Sequence, residues 1–298
     1  PMLNTLGGEG KRGNQLLQFG GTLNSMGATI VPVLVGYLMG DVAKATISDA
    51  NPALFLAIGI FVLAFIVLYS MSIPEPHIVA EKSTEKNTHS PLSFRHFVLG
   101  AIAIFVYVGV EVGIPNIANL CMTGDLQINA TTAGTVVGTY WFLMLVGRLT
   151  GGVLGSKFSS KSMLSFAAVL GLVFVLLAIF LPKDQMVSMP VFQSDISFGL
   201  AQVPVSIMLL VLCGLCTSVM WGGIFNLATE GLGKYTAAAS GIFMVMVCGG
   251  GIIPAIQGYA ADIFGYVQSY WVVVIGISYM LFYALVGSKN VNKDIKVN

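Results

Sequence analysis

The sequence predicts an all-α protein, a polytopic bundle of eight membrane-crossing helices. Three observations carry that prediction. Of the 298 residues 56% are hydrophobic and only 9% charged, a balance that belongs to integral membrane chains rather than water-soluble ones. Several uncharged runs reach or exceed the roughly 20 residues needed to cross about 30 Å of hydrocarbon. One of them, Phe97 to Gly124, carries a single charge, Glu111, near its middle. The near-neutral net charge of +1 and the lack of a basic, aromatic-laced patch exclude a nucleic-acid partner.

Pro1 to Asn14 is polar and glycine-rich and reads as the middle of a loop, with no basic start leading into an apolar signal core. The first span runs from about Asn14 to Met39. Asn14, Gln18, Thr22, Ser25 and Thr29 share one face of it, with Asn24 offset and Gly20 and Gly27 opposite. A polar stripe of that length does not face lipid; it either lines a wet cavity or bonds a neighbouring helix. The second span, Pro52 to Ile73, is plain and lipid-facing. Pro74 to His96 is mixed in charge and reads as a solvated linker. The expected organisation is therefore 1–73 as two spans, 74–96 as a cytoplasmic linker, 97–288 as a six-helix unit, and 289–298 as a tail.

The third span holds Glu111. A carboxylate at that depth costs a few kcal/mol unless it faces a polar cavity or a partner. At 100° per residue, Tyr107, Pro115 and Ala118 fall within about 40° of Glu111, with Asn119 slightly further round. Gly109 and Gly113 form a G-x-x-x-G on the opposite side, suited to close helix approach. One face reads as a packing surface and the other as a wet one. The fourth span, Ala133 to Gly155, carries Gly147, Gly151 and Gly155 at spacing four, a second close-packing ridge, with Arg148 expected at its cytoplasmic end. The fifth is Met163 to Leu181. The loop Pro182 to Gln202 has no assigned role. The sixth span, Val203 to Thr229, contains Trp221, Gly222-Gly223 and Asn226. The seventh, Ala237 to Ile263, contains Gly249-Gly250-Gly251, Pro254 and Gln257, which predict a kinked or partly unwound helix lining a cavity. The eighth is Tyr266 to Gly287.

Cys121, Cys213, Cys216 and Cys248 lie in or at the ends of spans and read as small hydrophobes. Cys213-x-x-Cys216 has no second pair and no histidine beside it, so no metal or redox site is expected. The three histidines, His77, His89 and His96, sit in or beside the linker, which excludes a histidine proton relay within the spans. No constellation for catalysis is present, and neither an enzyme nor a cofactor is expected. Under eight alternating spans, twelve lysines and arginines fall on one side and Lys44 and Lys183 on the other. That places both ends of this chain and the linker in the cytoplasm. Counted from the cytoplasmic markers Arg12, Arg95 and Glu230, Asn24, Glu111 and Trp221 then lie near mid-membrane, as in a carrier's binding site.

The stretches Leu23-Asn24-Ser25-Met26-Gly27, Tyr107-Val108-Gly109-Val110-Glu111-Val112, Gly147-Arg148-Leu149-Thr150-Gly151, Ser218-Val219-Met220-Trp221 and Gly249-Gly250-Gly251-Ile252-Ile253-Pro254, with Asp262 beyond, occur in this order. The chain resembles the fucose:proton symporter branch of the major facilitator superfamily, which includes bacterial glucose/galactose transporters. The resemblance implies a twelve-helix sugar carrier of the inner membrane, of which this chain would hold helices five to twelve. It implies a monosaccharide substrate, with a proton as the coupling ion, and a cavity around Asn24, Glu111 and Trp221. It also implies a cytoplasmic gate at Arg148, with Glu230 as a partner; carbonyls at a neighbouring helix end are the alternative. Residue chemistry adds Gln18, Tyr107, Asn119, Asn226 and Gln257 as substrate-binding candidates, since amides, a carboxylate and aromatic faces suit a neutral sugar. Where the family has glutamine this chain has Gly21, and where it has Pro-Thr this chain has Gly222-Gly223. A sugar sensor that binds without transporting is the alternative.

Overall fold

Among the described residues, the predicted spans become helices for the reason the sequence gives: long apolar runs have no water to satisfy their amides and must bond internally. The computed structural model describes residues 19–24, 26–27, 48, 51–71, 89–182, 184–193, 197–292, 294–295 and 297. The first predicted span lies largely outside the described residues; of it, residues 19–24 and 26–27 are helical. Seven helical segments among the described residues are long and apolar enough to cross a membrane.

They are α1 (Asn51–Ser70), α2 (Arg95–Leu120), α3 (Ala130–Leu154), α4 (Ser160–Phe180), α5 (Val205–Thr217) with α6 (Met220–Thr229), α7 (Thr236–Val245) with α8 (Gly249–Phe264), and α9 (Tyr266–Ser269) with α10 (Trp271–Phe282). Start signals are local. Asn129 accepts from the Thr131 amide at the head of α3, and Ser159 accepts from the Ser162 amide at the head of α4, each satisfying one of the free amides of a first turn. The segment after α2, Cys121–Asp125, continues as a π-helical turn, and α10 ends in another at Tyr283–Gly287.

Between apolar helices in lipid, close fit and polar bonds decide association, because the tails are as apolar as leucine. The G-x-x-x-G of α2 serves that purpose. A methyl on Gly109 would overlap the Ile253 side chain of α8, and one on Gly113 would overlap the Gln257 amide. α8 returns the approach: a methyl on Gly249 would collide with the Phe105 carbonyl, and one on Gly250 would press on Val108. α2 is consequently the most enclosed long helix beside the α5–α6 pair. The distortion expected at the triple glycine lies just ahead of it, as a 3-10 turn over Met246–Cys248, while the glycines themselves are helical. The ridge on α3 packs as expected, Gly147 against Ser218 and Gly151 against Val219.

Two features differ from a plain bundle. The loop left without a role forms a hairpin, β1 (Met186–Phe192) antiparallel to β2 (Phe198–Pro204), with Met186 opposite Pro204 and Phe192 opposite Phe198. Its alternation buries Met189, Val191, Ala201 and Val203, as the two-residue period of a strand requires. Phe192 stacks on Phe142 of α3 at 4.9 Å and 7°, and its amide donates to Thr139 Oγ1 at 2.8 Å. The second feature is α1, which buries none of its residues and presents Phe55, Phe61 and Phe65 outward. An apolar, unshielded second span is what the sequence predicts there.

Candidate functional site

The site begins with a proline. Pro115 lies inside α2 and has no amide hydrogen, so the carbonyl four residues earlier, that of Glu111, loses its helical donor. In lipid an orphaned carbonyl is costly, and a neighbouring helix supplies the bond: Tyr140 Oη of α3 donates to the Glu111 carbonyl at 3.0 Å. The Tyr140 hydroxyl also lies 3.1 Å from Thr217 Oγ1. Thr217 ends α5, where the last carbonyls have no helical partner. Tyr107 Oη donates to the Thr217 carbonyl at 3.1 Å. Two tyrosines thus repair two backbone breaks, one from a proline and one from the interruption between α5 and α6.

Above this repair stands an ion pair. Arg148 Nη2 donates to Glu111 Oε1 at 3.0 Å, the two side chains being 7% and 12% exposed. The other arm of the guanidinium, Nη1, donates to the Gly21 carbonyl at 2.8 Å. Its planar fork therefore links α2, α3 and the helical residues 19–24, a geometry a lysine could not reproduce with one ammonium. Gly21 allows the approach: a methyl there would sit 3.4 Å from Arg148 Cδ. A charge of each sign, buried together inside a membrane bundle, is expensive to maintain and marks sites of function.

The expected candidates separate into those the structure gathers and those it does not. Glu111, Tyr107 and Arg148 come together. Arg148 is not a surface residue paired with Glu230: it is 5% exposed and its partners are Glu111 and the Gly21 carbonyl, because a buried carboxylate draws the available cation. Glu230 sits exposed at the end of α6, where its carbonyl meets His96 Nε2 at 3.0 Å. The α2 face expected to be wet is packed instead. Tyr107 and Ala118 are buried there, since neighbouring hydroxyls and carbonyls absorb the polarity.

Trp221 is half-buried and stacks on Phe225 at 5.4 Å and 3°, with Phe243 edge-on at 6.3 Å. Asn226 donates to Ser160 Oγ at 2.8 Å, a bond between α6 and α4. Asn119 is partly buried near the end of α2, and its carbonyl accepts from Thr123 Oγ1 at 2.9 Å. Gln257 is fully buried against Gly113 with neither amide atom bonded. Asn24 is exposed. Gln18 lies outside the described residues. Sequence reasoning missed Tyr140 altogether; the available signal was Pro115, which guarantees a carbonyl in need of a donor at position 111. Among the described residues no group of three or more histidine, cysteine, aspartate or glutamate side chains could hold a metal.

Helices long enough to cross a membrane, which re-pair their broken backbone around a buried ion pair, describe a multi-pass membrane protein. The chain matches the Major Facilitator Superfamily over residues 99–294 and belongs to that family. It is 30% identical over 278 residues to the glucose/galactose transporter of Brucella abortus biovar 1 (strain 9-941), covering 90% of this chain and 62% of that protein. It is 25% identical over 174 residues to the L-fucose-proton symporter of Escherichia coli (strain K12), covering 57% of this chain and 35% of that one. The chain therefore spans less than two thirds of the length of the glucose/galactose transporters it matches. The fold is similar to the crystal structure of the family's transporter FucP in the outward conformation, with TM-score 0.72 and 19% identity over 94% of this chain and 69% of that one. These relatives are named transporters and symporters, not enzymes.

Proposed function

We propose that this chain forms the larger part of a secondary carrier for a monosaccharide of the glucose, galactose or fucose class, coupled to protons and working by alternating access. The observation that carries the reading is the Glu111–Arg148 pair with its second arm on the Gly21 carbonyl. It joins residues 19–24 to the 97–288 unit through groups whose bonding changes if the two move apart. The interruption between α5 and α6 supports the reading, since broken helices at depth gather around transported solutes. So do the names of the relatives at 30% identity.

In this proposal the linker 74–96 divides two halves, the host membrane is the bacterial inner membrane, and both ends of the chain face the cytoplasm. Glu111, Asn24 and the Trp221 face contact the sugar, and Arg148 exchanges between Glu111 and the substrate as the cavity opens. The test is uptake of radiolabelled galactose, glucose and fucose by proteoliposomes, with and without an imposed proton gradient. Saturable, gradient-driven accumulation of one of them is expected. Saturable binding with no uptake would replace the carrier with a sensor.

A further inference from the structure

Residues that follow α10 tie two distant helix starts together. α2 begins without a side-chain cap of its own, and the amide of Arg95 donates instead to Asn292 Oδ1 at 3.0 Å. The 3-10 turn Gly233–Tyr235 that leads into α7 also has no side-chain cap, and the Lys234 amide donates to the Val297 carbonyl at 3.1 Å. Amides of a first turn lack helical acceptors; here both acceptors come from one short strap. Ile295 and Val297 seat the strap by packing on the core. Asn290 Oδ1 accepts from the Asn292 amide at 3.0 Å, a local turn that an asparagine side chain favours.

The loop between α6 and α7 is shaped to receive it. Gly231 and Gly233 have φ of 70° and 49°, in the left-handed region that glycine adopts at little cost. A methyl on Gly233 would collide with the Val297 carbonyl. The near half of the loop is held separately, by His96 Nε2 on the Glu230 carbonyl at 3.0 Å. The far half, where α7 starts, is held by the strap and by the contact of the Phe94 and Tyr235 rings at 5.6 Å.

α7 has an irregular backbone at both ends. The two glycines precede it, and the 3-10 turn Met246–Cys248 separates it from α8. α8 is pressed onto α2 at Gly249 and Gly250, whereas α7 buries only Ala239, Ser240 and Phe243 and meets α2 sparsely. A few loop or helix-end residues suffice to absorb a hinge motion. We propose that α7 is a hinged half-helix latched to the start of α2 through Asn292 and Val297, and that release of the strap frees α7 while α8 stays in place. The device requires no substrate, so it stands or falls apart from the carrier reading.

Hydrogen exchange of the purified full chain in detergent micelles, resolved by peptide mass spectrometry, reads α7 and α8 separately. Asn292→Ala removes the acceptor of an amide in α2, and it should speed exchange across α7 by roughly tenfold, the loss of about one net hydrogen bond, with α8 unchanged. Asn292→Asp keeps an acceptor oxygen and should leave α7 as in the wild-type protein. Gly233→Ala displaces the strap from the loop side and should reproduce the pattern of Asn292→Ala. Faster exchange confined to the start of α2, or α7 and α8 loosening together, overturns the inference.

Discussion

Replacing Arg148 with methionine removes a guanidinium from a site 5% exposed and leaves two groups behind. Glu111 loses the donor 3.0 Å from its Oε1, and the Gly21 carbonyl loses one at 2.8 Å. Breaking a buried ion pair from one side costs about 3–5 kcal/mol, because the remaining charge stays uncompensated. Glu111→Leu leaves the guanidinium stranded and costs a similar amount by the same argument. Independent losses would sum to about 6–10 kcal/mol. In the double variant no charge is left, and only the Gly21 carbonyl is without its donor, a cost of about 1–3 kcal/mol. The cycle therefore predicts a double variant more stable than either single one. The assay is denaturant unfolding of the purified chain in mixed micelles, followed by tryptophan fluorescence. If the double variant's loss equals the sum of the single losses to within about 0.5 kcal/mol, the pair is not a coupled unit and the site as described is wrong.

Three further outcomes follow from the packing and the backbone repair. Gly249→Ala should destabilise by more than about 1–3 kcal/mol, because its methyl meets the Phe105 carbonyl, whereas Gly251→Ala has no atom within 4 Å and should be neutral or slightly stabilising; thermal unfolding of the two variants reads the contrast. Tyr140→Phe should cost about 1–3 kcal/mol by orphaning the Glu111 carbonyl, and should cost measurably less in a Pro115→Ala background, where a helical amide returns; equal costs in both backgrounds would deny the repair. Thr139→Val should remove the acceptor of the Phe192 amide, so hydrogen exchange at Phe192 should speed up while that of α3 stays protected.

The spans were legible because a 20-residue apolar run admits few alternatives in lipid, and α2 through α10 lie close to where the runs predict. The packing faces were legible too: Gly109, Gly113, Gly147 and Gly151 each meet a neighbouring helix, since helices in lipid approach at glycines. The partners of polar groups were not. A helical wheel shows that Tyr107 and Glu111 share a face but not which helix comes to meet it, so a packed face reads as a wet one. Its position near the end of the fourth span placed Arg148 at the cytoplasmic surface, because a position along one helix ignores a long side chain's reach to another helix. The hairpin stayed hidden because Phe198-Gly199-Leu200-Ala201 has little strand signature of its own. Phe142 and Thr139, which fix it, belong to a different span.

The central claim is that the Glu111–Arg148 pair takes part in moving a sugar, and counterflow tests it most directly. Proteoliposomes preloaded with unlabelled galactose are given labelled galactose outside, with no proton gradient, so that only exchange through alternating access is read. The wild-type protein should show a transient overshoot of label. Arg148→Ala should abolish that overshoot, while Glu111→Gln, which keeps an oxygen for the guanidinium, should retain part of it. Overshoots of equal size and rate in all three proteins would contradict the account.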